Sequence, residues 1–269
     1  MNVETVADLT DPRLEPYRNV KDTRWLQERG MFLAEGRLVI GSLVSVPGFR
    51  VHSLLATDAA LDHFAEAAHE LEPGTPIYRV DRELMNRLSG LRFHQGCVAA
   101  AECREVPDMG LFRAARRLVI LEQVSDPDNI GGIFRSAHAF GVDGILLSPG
   151  CASPLYRKAS RTSMGATFRV PFRTLSDWPG ELEELRSGGF HLVGLTPATG
   201  ATSIVDFNPA RERLALVFGS EGFGLSSDVA ARLDEALRIP MVEAADSLNV
   251  ATSVGIALHR LGAAAAATV

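Results

Sequence analysis

The stretch LALVFGSEGFGLS, residues 214–226, joins an uninterrupted apolar run to a loop that carries three glycines. An apolar run of this length, with no polar alternation, predicts a strand that is buried on both faces. Comparable runs recur along the second half of the chain, with helix-sized stretches between most of them: RLVILE at 117–122, GILLS at 144–148, FHLVGLT at 190–196 and LRIP at 237–240. This alternation predicts an α/β fold in which helices cover both faces of a mostly parallel sheet.

The N-terminal part of the chain follows a different pattern. Helical patterns such as residues 24–44 alternate there with short strand candidates, among them PIYRV at 76–80 and GCVAAAE at 96–102. A stretch of about a hundred residues is a normal domain size. We therefore predict two domains, a smaller α/β domain at 1–107 and the parallel-sheet domain at 108–269.

The overall composition is that of a globular protein in a reducing compartment. The chain has 269 residues, of which 46% are hydrophobic and 22% charged, and no apolar run is long enough to span a bilayer. Its opening residues are acidic and polar, which argues against a signal peptide. Cys97, Cys103 and Cys151 lack the spacing of a metal site and need no disulfide, so we predict a cytoplasmic protein.

The distribution of charge points to one local basic surface. The net charge of −6 argues against a protein that coats nucleic acid over its whole surface. No Asp or Glu occurs from Gly144 to Ser176, however, and this stretch contains Arg157, Lys158 and Arg161. A charge run of this kind ordinarily forms a solvated helix face. The absence of acids favours the alternative, a patch that binds RNA phosphates.

Three of the predicted strands are followed by loops rich in glycine or polar residues. The loops after RLVILE, LALVFG and LRIP carry, in chain order, Asn129 and Arg135, then Glu221, then Ser247 and Asn249. Because the carboxyl ends of parallel strands meet at one edge of the sheet, these loops predict a single ligand site. The fingerprints of NAD sites, P-loop nucleotide sites and zinc sites do not occur in the sequence.

Three segments closely resemble, in order, the signature motifs of the SpoU (TrmH-like) branch of the SPOUT methyltransferases: DPDNIGGIFRSAHAFGVDGILL at 126–147, LALVFGSEGFGLS at 214–226 and IPMVEAADSLNVATSVGIALHRL at 239–261. The resemblance implies a homodimeric RNA ribose 2′-O-methyltransferase that uses S-adenosylmethionine. It also implies a C-terminal trefoil knot, an exception to the rule that protein chains are unknotted. The first domain more loosely resembles an L30e-type RNA-binding domain. This combination implies 23S ribosomal RNA as the substrate, with transfer RNA as the alternative.

The resemblance also assigns roles to individual residues. It implies catalytic or substrate-contacting roles for Arg135, Asn129, Ser247, Asn249 and Glu221. It implies cofactor binding by Leu195, Gly219, Gly222, Ile239, Met241 and Leu248. Gly219 would let the chain pass close to the cofactor. No metal is needed in this scheme, because a sulfonium methyl group is already a good electrophile.

Arg135 is the strongest catalytic candidate. A guanidinium stays protonated in proteins, so we expect it to grip a phosphate beside the target ribose with two hydrogen bonds rather than to act as a base. The ordinary alternative for an arginine on an amphipathic helix is an outward, structural position. Ser247 and Asn249 have a structural alternative as well, with Ser247 as a helix cap and Asn249 satisfying a buried loop.

The last helical pattern, residues 247–261, carries more apolar residues than one stripe against a sheet requires: Val250, Val254, Ile256, Ala257, Leu258 and Leu261. We predict that this surplus forms an isologous dimer interface that includes Leu258. Two other classes of protein stay open. One is a non-catalytic RNA-binding protein on the same fold, and the other is a small-molecule enzyme of an unrelated doubly wound fold.

Overall fold

The structure is a computed structural model that describes residues 2–18, 24–64, 70–89, 96–208, 212–242 and 246–262. The chain divides into two compact units, which consist of Met1–Glu105 with Leu155–Arg169 and of Val106–Pro154 with Val170–Val269. Within the described ranges, no helix has the length and apolar character needed to cross a membrane.

The secondary structure alternates between short strands and helices along the chain. The strands are β1 (Asn2–Thr5), β2 (Met31–Glu35), β3 (Phe49–Ala56), β4 (Pro76–Arg79), β5 (Cys97–Cys103), β6 (Arg117–Leu121), β7 (Gly144–Leu147), β8 (Phe172–Thr174), β9 (His191–Leu195), β10 (Thr202–Ser203), β11 (Leu214–Phe218) and β12 (Glu235–Arg238). The helices are α1 (Arg24–Gln27), α2 (Arg37–Val44), α3 (Asp58–Phe64), α4 (Arg82–Ser89), α5 (Met109–Ala114), α6 (Pro127–Ala139), α7 (Arg157–Thr162), α8 (Ala166–Arg169), α9 (Glu181–Ser187), α10 (Ser227–Ala230) and α11 (Val250–Gly262). A 3-10 helix spans Pro12–Tyr17.

The first unit is built on a mixed sheet with the strand order β1-β4-β3-β5-β2. β4 pairs in parallel with β1 and β3, whereas β5 pairs antiparallel with β3 and β2. Its two faces carry separate hydrophobic clusters, one around Ile40, Leu54 and Ile77 and the other around Leu14 and Tyr17. The sheet is therefore covered on both sides.

The segment Leu155–Arg169, which contains α7 and α8, packs within the first unit although the sequence prediction assigns it to the second domain. Phe168 lies in the cluster of Ile40, with its ring centroid 5.7 Å from that of Phe32. Arg157 at the start of α7 forms an ion pair with Glu35 at the end of β2. Because Glu35 is only 2% exposed, this pair ties α7 to the sheet from a desolvated position.

The second unit contains a seven-stranded sheet with the order β10-β12-β9-β11-β6-β7-β8, in which every neighbouring pair is parallel. β11 is the middle strand, and all five of its residues are buried. The predicted α/β fold with a mostly parallel sheet is therefore confirmed. The trefoil knot that the resemblance implies stays a prediction.

Two helices of the second unit, α6 and α11, pack closely along one another. A Cβ atom on Gly132 of α6 would lie 3.0 Å from the Cβ of Ala251 on α11, so glycine permits this approach. Val254 and Leu258 of α11 are buried inside the unit, and Ile256 is exposed. The inference that Leu258 belongs to a surplus apolar surface is therefore wrong, because the unit's own core already covers that side chain. The homodimer itself is a separate expectation and stays a prediction.

The Glu35–Arg157 pair generates a stability prediction. Arg157→Ala leaves a buried carboxylate without its close partner, so we expect the first unit to lose about 3 kcal/mol of unfolding free energy. Arg161→Ala is the matched control: the Arg161 side chain is 45% exposed, and its nearest guanidinium nitrogen lies 3.9 Å from a Glu35 carboxylate oxygen. The control should lose less than about 1 kcal/mol. Scanning calorimetry of both variants measures the difference, and equal losses would contradict the assigned role of Arg157.

Candidate active site

The carboxyl ends of four neighbouring strands, β12, β9, β11 and β6, lie at the same edge of the parallel sheet. The segments that follow β9, β11 and β12 enclose a cleft of about 640 Å³. All six residues predicted to bind a cofactor line it: Leu195, Gly219, Gly222, Ile239, Met241 and Leu248. Glu221 and Ser247 line the same cleft. The parallel arrangement of the strands thus brings together segments that are distant in sequence, at the edge where ligands bind in such sheets.

The loop after β11 folds tightly on itself. Gly224 donates a backbone hydrogen bond of 2.9 Å to the carbonyl of Ser220, and the same two residues form an isolated antiparallel bridge. A Cβ atom on Gly219 would lie 2.0 Å from the carbonyl oxygen of Gly224. Glycine at 219 is therefore required by the close approach of the loop's own backbone. This internal cause differs from the predicted one, a close passage of the cofactor.

Glu122 anchors the far end of this loop. Its carboxylate is almost completely buried and accepts hydrogen bonds from the backbone N–H of Ser226, at 2.9 Å, and from the Ser226 hydroxyl, at 2.7 Å. It also accepts a bond of 3.2 Å from the indole N–H of Trp178. Glu122 is not among the residues predicted from the sequence. Its position could have identified it, because Glu122 directly follows an apolar strand and a charged residue that is buried there must have hydrogen-bond partners.

Asn249 joins three elements at the edge of the cleft. Its side-chain nitrogen donates to Asn129 Oδ1 at 2.8 Å and to Glu221 Oε1 at 2.6 Å. Its side-chain oxygen accepts from the backbone N–H groups of Ala251, at 2.9 Å, and Thr252, at 3.2 Å. Asn249 therefore caps α11 and at the same time holds α6 and the loop after β11.

The partners of Asn249 fix the orientation of both amides in this cluster. A carboxylate accepts and a backbone N–H donates, so the Asn249 group that faces Glu221 must be the nitrogen and the group that faces α11 must be the oxygen. The Asn129 atom that faces the Asn249 nitrogen is then an oxygen. Among the described residues, the Asn129 nitrogen then has no acceptor of its own.

Helix α6 carries Asn129 and Arg135, the two predicted site residues of the first motif, and they differ in exposure. Asp126 caps the helix by accepting from the N–H of Asp128, and Pro127 occupies the first turn. Asn129 is buried and belongs to the Asn249 cluster, whereas Arg135 is exposed. Within the described part of the chain, the Arg135 guanidinium forms no hydrogen bond or ion pair. It is therefore free to bind an anion from solution.

Ser247 lies on the exposed rim of the cleft and does not cap α11. The structural alternative that made Ser247 the cap is therefore wrong, because Asn249 takes that position. Thr196 and Pro197 also line the cleft and were missed. They directly follow β9, so the rule that ligands bind at strand carboxyl ends would have identified them.

The three predicted RNA-contacting residues of α7 differ in exposure. The Arg157 side chain is mostly buried and is paired with Glu35, whereas the Arg161 side chain is about half-exposed. Lys158, like Arg157, also makes contacts of its own within the protein. At least one basic residue of this segment therefore serves the fold rather than RNA binding, because Arg157 pairs with the buried Glu35. Phosphate binding by the three residues stays a prediction.

Comparison with known proteins identifies close matches over nearly the whole chain. Residues 116–259 match the SpoU rRNA Methylase family. An uncharacterized tRNA/rRNA methyltransferase of Mycobacterium bovis is 36% identical in an alignment that covers 96% of this chain and 91% of the relative.

Two solved structures are similar in fold and in sequence. The AdoMet-bound rRNA methyltransferase of Sinorhizobium meliloti is 26% identical, with a TM-score of 0.83 and coverage of 96% of this chain and 97% of that chain. The SpoU methyltransferase AviRb of Streptomyces viridochromogenes, in complex with AdoMet, is 25% identical, with a TM-score of 0.79 and coverage of 93% and 97%.

The Asn249 cluster generates a prediction about local stability. Asn249→Ser keeps a good helix cap, and a single hydroxyl cannot bridge Asn129 and Glu221 while it caps the helix. Asn249→Ala also removes the cap, which costs about 1 kcal/mol. We expect the alanine variant to lose more thermal stability than the serine variant, because both lose the two bridging hydrogen bonds and only alanine also loses the cap. Both variants should exchange the Gly224 amide hydrogen faster than the parent chain. Normal protection of that amide in Asn249→Ser would mean that the bridge does not hold the loop.

Proposed function

This chain belongs to the SpoU rRNA Methylase family, and we propose that it transfers a methyl group from S-adenosylmethionine to a ribose 2′-hydroxyl of RNA. We take 23S ribosomal RNA as the substrate. The observation that carries the proposal is the hydrogen-bonded cluster of Asn129, Asn249 and Glu221, because it joins the edge of the cleft to the helix that presents Arg135.

The cleft fits S-adenosylmethionine in size and in the chemistry of its lining. Its volume of about 640 Å³ lies within the usual range for small-molecule sites. Leu195, Ile239 and Leu248 offer apolar contact to an adenine ring. Glu221 and Glu235 place carboxylates in the lining, and these favour a ligand with positive charge. When bound, the cofactor supplies an electrophilic methyl group on a sulfonium.

Arg135 is proposed to position the RNA. Its exposed guanidinium can grip the phosphate next to the target ribose with two parallel hydrogen bonds. It can also stabilise negative charge that develops on the 2′-oxygen, whereas its protonated state excludes a role as general base. The main contribution of such a grip is orientation of the hydroxyl toward the methyl group.

Asn129, Glu221 and Asn249 are proposed to act as one unit, of which Asn129 lies on the same helix as Arg135. Asn249 uses both of its side-chain N–H groups and its oxygen within the protein, so its role is to position the other two residues. Asn129 keeps a side-chain N–H for the RNA. Ser247, on the rim of the cleft, is proposed to border the reacting ribose.

The choice between substrates is proposed to reside in the first unit. Its resemblance to an L30e-type domain favours recognition of RNA shape and of single-stranded segments, with Lys158 and Arg161 among the phosphate contacts. Transfer RNA is the second candidate, because the Mycobacterium bovis relative is named a tRNA/rRNA methyltransferase.

Methyl transfer is tested directly with the purified full-length chain, methyl-labelled S-adenosylmethionine and total RNA from cells that lack the gene. We expect label in ribosomal RNA and, after alkaline hydrolysis, in alkali-stable dinucleotides, because a 2′-O-methyl group removes the hydroxyl that cleaves the next phosphodiester. Label in transfer RNA alone would select the alternative substrate. Label in mononucleotides would contradict ribose methylation, and no transfer to any RNA would favour a non-catalytic binding protein.

Variants of Arg135 serve as the matched controls for this assay. Arg135→Ala should bind S-adenosylmethionine as the parent chain does and lose methyl transfer, because its proposed contacts are to RNA. Arg135→Lys should also fail, since an ammonium cannot reproduce a two-pronged hydrogen bond. Loss of cofactor affinity with normal turnover at saturation would contradict the assigned role.

We also propose that the active form is a homodimer, as the family resemblance implies. The residue of α11 to test for a role in the dimer interface is Ile256, which is exposed, rather than the buried Leu258. Light scattering should give the mass of two chains for the parent protein and a lower average mass for Ile256→Glu, because a charge would enter a desolvated contact. A fully active monomer would contradict the dimer.

A further inference from the structure

Phe223 stands apart from the other aromatic side chains of the protein. It is 92% exposed and lies at the tip of the loop between β11 and α10. Among the large hydrophobic side chains that are exposed in the described part of the chain, it is the sole aromatic one. A single exposed apolar side chain is ordinary on a protein surface, so the position of Phe223 rather than its exposure carries the inference.

The backbone holds Phe223 in a defined place. The bridge between Ser220 and Gly224 closes a tight turn around it, and Gly224 adopts the left-handed conformation, with φ at 67°, that completes the turn. Glu221, two residues earlier, is bound to Asn249. Glu122 holds Ser226 three residues later. The exposed ring is therefore carried by a loop that is anchored on both sides.

The loop also places Phe223 beside the proposed reaction site. Residue 223 lies at the border of the cleft proposed for the cofactor. Glu221 connects the same turn through Asn249 to Asn129 on α6, the helix that presents Arg135. Phe223 is among the residues that line this cleft, and its side chain is 92% exposed, so an RNA that approaches from solvent can reach it.

On the basis of the function proposed above, we propose that Phe223 stacks on an unpaired base of the substrate RNA, next to the nucleotide that is methylated. Aromatic side chains bind single-stranded RNA by stacking, and this one is 92% exposed. The neighbours of Phe223 in the turn are glycines, Ser220 and Glu221, so they form no continuous apolar patch of the kind that a protein interface uses. A nucleobase is the ligand that matches a single exposed ring in polar surroundings.

Three substitutions at position 223 distinguish stacking by an aromatic ring from contact by any large apolar side chain. Phe223→Ala removes the ring and should raise the KM for total RNA from cells that lack the gene by about 5- to 160-fold, the range that corresponds to loss of one stacked base. Phe223→Leu should resemble the alanine variant, and Phe223→Trp should retain or improve the parent KM. The turnover number and the affinity for S-adenosylmethionine should not change. The salt dependence of RNA binding should also be unchanged, because stacking involves no phosphate contact.

Val205→Ala is the matched control, since Val205 is an exposed apolar residue of the same unit that does not line the cleft. This control should bind RNA as the parent chain does. An unchanged RNA KM in Phe223→Ala would overturn the inference, as would a loss of cofactor affinity or of dimer mass in that variant. Filter binding of the same RNA tests the stack independently of catalysis. Failure of the proposed function would appear differently, as RNA binding by the parent chain without methyl transfer.

Discussion

The two hydrogen bonds that the Asn249 side chain donates are the constraint on which the candidate site depends. They tie Asn129 on α6 to Glu221 in the loop after β11, across sequence separations of 120 and 28 residues. The oxygen of the same amide caps α11. One side chain thus satisfies a helix end and fixes the relative positions of three motifs. A carboxylate in place of this amide would have no N–H to donate and would lie against Glu221 with like charge.

The parallel sheet makes this cluster possible. Because β6, β11 and β12 run in the same direction, the segments that follow them emerge at one edge of the sheet. The close contact of Gly132 with Ala251 brings α6 and α11 together, and the buried Glu122 fixes the end of the loop after β11. Packing and hydrogen bonding therefore hold Asn129 and Glu221 in place before a substrate arrives, as catalysis by positioning requires.

The sequence predicts the parts of this structure that depend on pattern. Apolar runs such as LALVF predict the buried parallel strands, and their following loops predict the residues that line the cleft. The pairing of Arg157 with Glu35 could not be predicted, because the two residues lie 122 positions apart and the local pattern around Arg157 is that of a basic helix face. The same limit applies to Leu258, whose burial depends on how α11 crosses the sheet. Ser247 and Asn249 are both good caps by residue type, and only the hydrogen bonds distinguish them.

The claim that Asn129 and Asn249 act as one unit is tested most directly by a double-mutant cycle on methyl transfer. The rate at saturating RNA and S-adenosylmethionine is measured for Asn129→Ala, for Asn249→Ser and for the chain with both changes. If Asn249 acts by holding Asn129, the double variant should be hardly slower than the slower single variant, because the first change already removes what the second would disrupt. Losses that multiply would show that the two residues act independently and would contradict the account.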